Sequence, residues 1–423
     1  TKDIRIVVEF QYSDQNYARS LFQFSTTAQS KQLDWWINAY SEQDVKNQPL
    51  QQNLTNPQKQ LLSEIGDSLQ LARYSVIDSV GFSENLVMYQ LIDSLGYDSV
   101  LVASVDPNLA YYKTQFSYVG PGKGDYVFDK FNAIGRVYKW VQPVGGISVG
   151  DYAPVSLLIT PKKQQLFTAG ATYRFNEKLQ VTSEIGMSGY DLNTFSNLDR
   201  FDDRGYSMRT KIEHTNPFGR DSVPIWSWKN RAEVEILDPY FKPIEQYRAV
   251  EFDRDWNTRN QSYTGNQVLS TLATSIENKN YGKIWINAQQ YKIGSQFSGL
   301  RTQLLTAWRQ NGFNINLDAS YLTSRNENSN QFLRHKADIS KQIKKVRIGY
   351  KADQEWNRFV QGDSLLSLQS YSFFDYQGYV ALGDTSSGEL LFSYRERVDG
   401  RSDSTRLRNA AKAKTFRVEW TKN

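Results

Sequence analysis

From residue 164 to the last residues of the chain, apolar and polar positions alternate almost without a break. In the stretch 313–322, Phe313, Ile315, Leu317, Ala319 and Tyr321 fall on one side, and Asn314, Asn316, Asp318 and Ser320 on the other. A period of two is that of a strand with one greasy and one wet face. The same pattern groups Phe167, Ala169, Ala171, Tyr173 and Phe175, then Leu179, Val181, Ile185 and Met187. It groups Trp228, Ala232, Val234 and Ile236 against Lys229, Arg231, Glu233 and Glu235. It continues through Val268, Leu272 and Ile276, Ile284, Ile286 and Ala288, and Leu300, Leu304 and Trp308. Beyond the 313–322 stretch come Val346, Ile348, Tyr350 and Ala352, Leu390, Phe392 and Tyr394, and Phe416, Val418 and Trp420. This predicts about a dozen strands, most of about 10–14 residues, longer than the usual five or six. Three more open the chain: 3–12, with Ile4, Ile6, Val8 and Phe10 in phase, a weaker segment at 17–25, and 32–40, with Leu33, Trp35, Ile37 and Ala39 in phase.

Between these groups the alternation fails. The polar run from residue 40 leads into Asn56-Pro57, which reads as an N-cap and an N1 proline ahead of Leu61, Leu62, Ile65 and Leu69 at helical spacing. Short strands are predicted at 86–92 and 99–105, followed by turn-rich sequence through 119–126. The expected organisation is barrel strands over 1–48, an inserted small mixed α/β domain over 49–163 that plugs a lumen or stands outside it, and barrel strands over 164–423.

Whether the greasy sides touch protein or lipid turns on the connections. From residue 278 they run short, longer, short, longer: 278–280, 292–297, Asn311-Gly312, 324–330, 342–344, 358–366, 383–387 and 400–406. Asn-Gly is a strong two-residue hairpin signal because both central positions take positive φ. An up-and-down outer-membrane barrel has tight turns at one end and longer loops at the other, whereas a Greek-key sandwich has no reason to keep that rhythm. The rhythm fails between 188 and 266, where the strand count is off by one around "LDPYFKPIEQY". Trp256, Trp308, Trp356 and Trp420 fall near strand ends, as rings at a membrane interface do. Trp285 falls mid-strand on a polar face, and 248–256 mixes Arg with Val and Phe, so some strands are expected to run beyond the bilayer. The fold class read from the sequence is therefore an all-β, antiparallel transmembrane β-barrel with about 14–18 strands visible, a piece of a larger barrel.

Composition agrees with strands having one wet face. The 423 residues include 26 Tyr, 22 Phe and 10 Trp, yet mean hydropathy is −0.60. No apolar run reaches the roughly 18 residues of a transmembrane helix, a test that barrel strands of about 9–11 residues escape. There is no cysteine, hence no disulfide, thiolate metal site or thiol nucleophile. The net charge of +5 is interspersed, which excludes a nucleic-acid footprint, apart from Arg395, Arg397, Arg401, Arg406, Arg408, Lys412 and Lys414, read as a solvated or lumenal face. The chain starts directly in a strand pattern, so either the protein is cytoplasmic or a signal has been removed, and it stops just after a strand, so a longer mature protein is expected.

The segments "NYARSLFQF", "YSEQDVKNQPLQQ", "FSYVGPGKGDYVF", "YAPVSLLITPKKQQL" and "DLNTFSNLDRFDDRGY" resemble large outer-membrane β-barrel proteins of Bacteroidota. The resemblance covers the first half of the chain, and the second half matches as generic barrel. It implies location in the outer membrane of a Gram-negative cell, a signal peptide lost on export, and membership of an export or assembly complex. It carries over no catalytic residue.

Four motifs invite chemistry. Gly120, Gly122, Lys123 and Gly124 suggest a phosphate loop, but the spacing is wrong and Asp125 stands where a Mg²⁺-binding hydroxyl is needed, so a turn with glycines at positive φ is expected. Glu251, Asp253 and Asp255 are expected on one side of an extended strand, where they suit a Ca²⁺ or acid/base site. Without a calcium loop, and with Arg248 and Arg254 adjacent, a charged lumen wall is the better reading. His214 and His335 lack the partners of a zinc site or hydrolytic triad. Asn53-Leu54-Thr55 and Asn260-Gln261-Ser262 match a glycosylation pattern too short to carry weight. No catalytic, cofactor or metal site is assigned. The expected function is transport, or a structural role in an outer-membrane export or assembly complex, with membrane lipid and other outer-membrane or surface lipoprotein subunits as partners. The alternative is a surface-exposed or secreted β-rich module that binds glycan or protein.

Overall fold

A computed structural model describes residues 2–13, 17–46, 52–219, 225–259, 261–362, 365–384 and 388–422. The chain opens with β1 (Lys2–Ser13), β2 (Tyr17–Gln29) and β3 (Leu33–Asp44). Of the β1 residues expected in phase, the side chains of Ile4, Ile6 and Phe10 lie outside the described set, and Val8 is exposed.

Residues 45–162 then hold α1 (Asn56–Glu64), a 3-10 turn (Leu69–Leu71) and ten short strands: β4 (Arg73–Ser75), β5 (Ile77–Ser79), β6 (Tyr89–Ser94), β7 (Tyr97–Ala103), β8 (Tyr112–Thr114), β9 (Ser117–Tyr118), β10 (Tyr126–Asn132), β11 (Gly135–Trp140), β12 (Tyr152–Ala153) and β13 (Val155–Leu157). The helix starts one residue earlier than its sequence suggests. Thr55 is the N-cap, and Gln58 Oε1 accepts its N–H at 2.8 Å, which displaces Asn56 into the first turn. Two apolar clusters hold this segment. One gathers Leu54, Leu62, Ala72 and Leu158, and the other is largely aromatic, with Tyr89, Tyr126 and Tyr138 around Phe116.

The chain returns as β14 (Lys163–Arg174), β15 (Leu179–Asp191), β16 (Arg204–Phe218) and β17 (Trp226–Leu237), then α2 (Phe252–Asp255), β18 (Gln267–Asn278), β19 (Gly282–Ile293), β20 (Phe297–Gln310), β21 (Phe313–Arg325), β22 (Ser329–Ile343), β23 (Val346–Gln361), the two-residue β24 (Leu365–Leu366), β25 (Tyr371–Asp384), β26 (Gly388–Ser402) and β27 (Leu407–Thr421). With β1–β3 these form one antiparallel sheet of 17 strands, each long strand paired with its neighbours in chain order and β3 joined to β14 across the insertion.

The connections sort by end. The turn end carries 30–32, 175–178, 279–281, 311–312 and 344–345, together with the strand ends Phe218, Trp226, Asp384 and Gly388. The other end carries the insertion, 192–203, 238–266, the β23–β25 connection, 294–296, 326–328 and 403–406. The turn at Asn311 and Gly312 takes φ of 50° and 77°, as the hairpin requires. Two expectations are corrected. The strand missing from the count is β16, and "LDPYFKPIEQY" ends β17 at Leu237 and then opens the 238–266 connection. The connections at 294–296 and 326–328 are only three residues long, because β19–β22 keep pairing further out than the polarity of their ends suggests.

Successive turn-end hairpins step outward. Ile343, where β22 turns, lies two residues beyond Lys341, the partner of Phe313; Asp384 lies two beyond Leu382, the partner of Val346. Two residues per strand pair, at about 3.4 Å rise and about 4.8 Å spacing, is a tilt of roughly 35°, in the range of barrels. The sheet is nonetheless open: among the described residues β1 pairs only with β2 and β27 only with β26. Closure needs the two end strands to meet, which alternation within each strand does not specify.

Candidate functional site

The two faces of the sheet differ in what covers them. One face carries the apolar series read from the sequence, from Phe167, Ile185 and Met208 through Leu272, Ile286 and Ile348 to Phe392 and Val418, and no second sheet lies over it. Leu272 is 65% exposed between Ala232 and Ala288 of the adjoining strands. At its turn-end rim the rings of Trp226 and Trp308 meet at a tilt of 35° with centroids 5.9 Å apart, Tyr281 lies 5.9 Å from Trp308, and Trp420 is exposed. Towards the other end Glu396 pairs with Lys412 (2.6 Å) and Lys414 (4.0 Å) above Phe416, Val418 and Trp420. On β21 the apolar run from Phe313 to Tyr321 covers roughly 27 Å of strand at about 3.4 Å per residue.

The opposite face is polar and internally paired. Arg209 bonds Glu233 at 2.7 Å, Lys229 bonds Glu277 at 2.6 Å, Lys336 bonds Asp353 at 3.2 Å, Arg347 bonds Glu389 at 2.7 Å, and Arg395 bonds Asp375. Trp285 lies on this face, as expected. The basic C-terminal stretch is thus divided: Arg395 and Arg397 face this side around Asp375, while Lys412 and Lys414 face the other.

Across this polar face runs a strap, residues 238–266. Its first part lies on β14–β16: Gln164 donates to Pro243 O (3.4 Å), Ser188 Oγ accepts from Lys242 N (2.9 Å), and a Cβ at Gly205 would overlap the backbone of Phe241. Its middle is fastened to β17, where Arg248 donates to Glu235 at 2.7 Å and its guanidinium lies over Phe252 at 4.2 Å. Its far end reaches β20–β23. Trp256 is 1% exposed, among Tyr291, Ile293, Phe297, Leu322 and Phe332, and a Cβ at Gly299 would come within 3.2 Å of its ring. Around it, Asp255 pairs with Arg301 (3.0 Å) and Arg334, and Arg254 with Glu355 (2.6 Å).

Glu251, Asp253 and Asp255 therefore do not line one side of a strand. They sit in and beside a four-residue helix and point to different partners: Glu251 to Arg254, Asp253 to Thr258, Asp255 to the wall arginines. The helix forms because Trp256 must turn inward, which also removes it from the expected interfacial ring. A polar cavity of about 170 Å³ lies here, between Glu251 and Asp255 of the strap and Asp318, Arg334 and Glu355 of the wall. A larger one, about 680 Å³, lies under the strap's first part, against β2, β3 and β14–β17.

The remaining motifs are structural. Gly120 and Gly122 take φ of 105° and 65° in the turn before β10, and Gly122 N donates to Asp151 Oδ1 at 3.1 Å, so the loop presents no free amide cradle there. His214 and His335 lie on the apolar face, on β16 and β22, His214 with Asn230 at 3.4 Å and His335 beside Phe374. Asn53 precedes α1, and Asn260 lies outside the described residues. No family model matches this chain, and no curated protein matches it.

The sequence reading missed the strap and an acidic cluster where the insertion meets loop 192–203. Asn193 Nδ2 donates to Leu62 O (2.7 Å) and Gly66 O (2.8 Å), and Ser196 Oγ to Ser63 O (3.1 Å). These contacts bring Asp67 against Asp202 and Asp203, with carboxylate oxygens within 4.8 Å of one another. Burial, then repulsion from Asp191, Asp67 and Asp202, pushes Asp203 up to about 6, against the opposing pull of Arg200. Burial and Asp191, Asp202 and Asp199 likewise raise Asp67. The density of Asp in "DRFDDRGY" is a visible signal, but Asp67 joins it only through the fold.

Proposed function

We propose that this chain forms wall of an outer-membrane β-barrel in a Gram-negative cell, with transport or a structural role in an export or assembly complex as its work. The observation that carries the reading is the broad uncovered apolar face backed by a face of paired charges. In water such an apolar expanse is costly. In a bilayer it is the required arrangement, with polar groups turned to a hydrated interior. A run of roughly 27 Å inclined at about 35° gives a band of roughly 22 Å, close to the about 25 Å of such proteins. The tight turns then lie on the periplasmic side, and the insertion, as a small mixed α/β domain, stands with the long loops on the outer side. The resemblance to Bacteroidota outer-membrane proteins points the same way. Because unpaired strand edges in hydrocarbon cost several kcal/mol per group, the reading requires β1 and β27 to be paired, with each other or with further strands. Membrane lipid and neighbouring outer-membrane or surface lipoprotein subunits are the proposed partners.

Those open edges are the specific observation favouring the second reading, a surface-exposed or secreted β-rich module that binds glycan or protein. Solubility separates the two. The barrel reading expects dependence on detergent and a gel mobility that changes on boiling. A monodisperse monomer in plain buffer with heat-independent mobility overturns it.

A further inference from the structure

We propose that the 680 Å³ cavity beneath the first part of the strap is a binding site for an organic cation, an ammonium or guanidinium head carried on an apolar or aromatic body. The proposal rests on reading the strap-bearing face as the hydrated one. The volume falls within the about 300–1,000 Å³ of small-molecule sites. The body of the ligand is set by the walls, which are Leu166 and Leu237 on the sheet and Phe241, Pro243 and Ile244 on the strap.

The charge of the head is set by Glu184. Its carboxylate accepts the Trp36 indole N–H at 2.6 Å, and no ion pair holds it among the described residues. Arg209, directly opposite on β16, is turned to Glu233 at 2.7 Å, and Arg248 of the strap is committed to Glu235 at 2.7 Å. Glu245 and Glu235 also line the cavity, so an anionic ligand would meet three carboxylates. Phe241 stands over Gly186, two residues from Glu184 on the same face; a Cβ there would lie 3.4 Å from the ring. A cation beside Glu184 thus gains a charge-assisted hydrogen bond and an aromatic neighbour in Phe241, while Ser207 Oγ occupies the space that a Cβ at 186 would need. The three carboxylates do not gather as the oxygen ligands of a metal ion must, since among the described residues only Asp67, Asp202 and Asp203 bring three carboxylates so close together.

The test is calorimetric titration of the protein in neutral detergent, with empty-micelle blanks, using phenylethylammonium, 2-phenylethanol and 3-phenylpropionate. The expected result is saturable binding of the cation, at least tenfold weaker binding of the alcohol and none of the carboxylate. Glu184→Gln should weaken the cation at least tenfold while leaving the alcohol unchanged. Phe241→Ala, which keeps the charge, should weaken cation and alcohol alike and serves if the first variant does not fold. Equal binding of the three probes, no saturable heat, or cation affinity unchanged in Glu184→Gln overturns the site. Failure of the membrane reading appears separately, as a protein monodisperse without detergent, and the same titration in plain buffer then decides the site alone.

Discussion

At the scale of single residues, the two faces make opposite demands on the same substitution. Leu272 is exposed, apolar and central on its strand. In water, Leu272→Arg would be nearly neutral; in hydrocarbon it costs about 2–4 kcal/mol. We expect the loss, read as a lowered heat-modification midpoint of the refolded protein in lipid, with Gln303→Arg, beside Asp318 on the opposite face, as the comparison. Asp255 tests the strap's anchor. Its side chain holds Arg301, whose own side chain is only 11% exposed, so Asp255→Asn leaves a cation in a closed setting without its counter-charge. Removing one partner of such a pair is expected to cost about 3 kcal/mol, measured as a lower unfolding midpoint together with protease cutting in 238–266.

At the scale of elements, the strap and loop 192–203 are held in different ways. The strap is seated by wall glycines: at Gly205 and Gly299 an added side chain would meet Phe241 backbone or the Trp256 ring. Loop 192–203 is held to the insertion by Asn193 and Ser196 against the repulsion of its own aspartates. Asp203 rises from the ordinary 3.8 to about 6, so the docked state takes up its proton more readily than the unfolded chain does. The docked loop is therefore favoured most below pH 4, and that advantage is lost as pH rises through 6. After correction for intrinsic rates, amides of 192–203 are expected to exchange more slowly at pH 5 than at pH 8. Asp203→Asn should flatten the difference, and an unchanged profile in that variant would remove the cluster as its cause.

At the scale of the whole molecule, the prediction concerns sidedness. The chain has no cysteine, so Glu327→Cys at the loop end and Lys344→Cys at the turn end each introduce one label site. In intact cells a membrane-impermeant maleimide is expected to modify the first and not the second, and both after detergent; equal labelling in intact cells would refute the proposed orientation. Much of this architecture was legible beforehand because a strand's side chains alternate whatever its neighbours are: the phase of most long strands, though not of β2, β16, β22 or β25, the Asn311-Gly312 hairpin and the opposition of Lys229–Glu235 to Trp228–Ile236 follow from local spacing alone. The extended "EFDRDW" and the interfacial Trp256 did not survive, since the path of that segment is chosen by the pockets and arginines of β19–β23, far off in sequence. Asp67 meets Asp203, and Glu184 is left without an ion pair, for the same reason. Alternation determined which side chains share a face; only the tertiary structure decided that the sheet stays open, that one face lies bare, and that the other is crossed by a strap, because those outcomes depend on contacts between residues whose spacing carries no periodic signal.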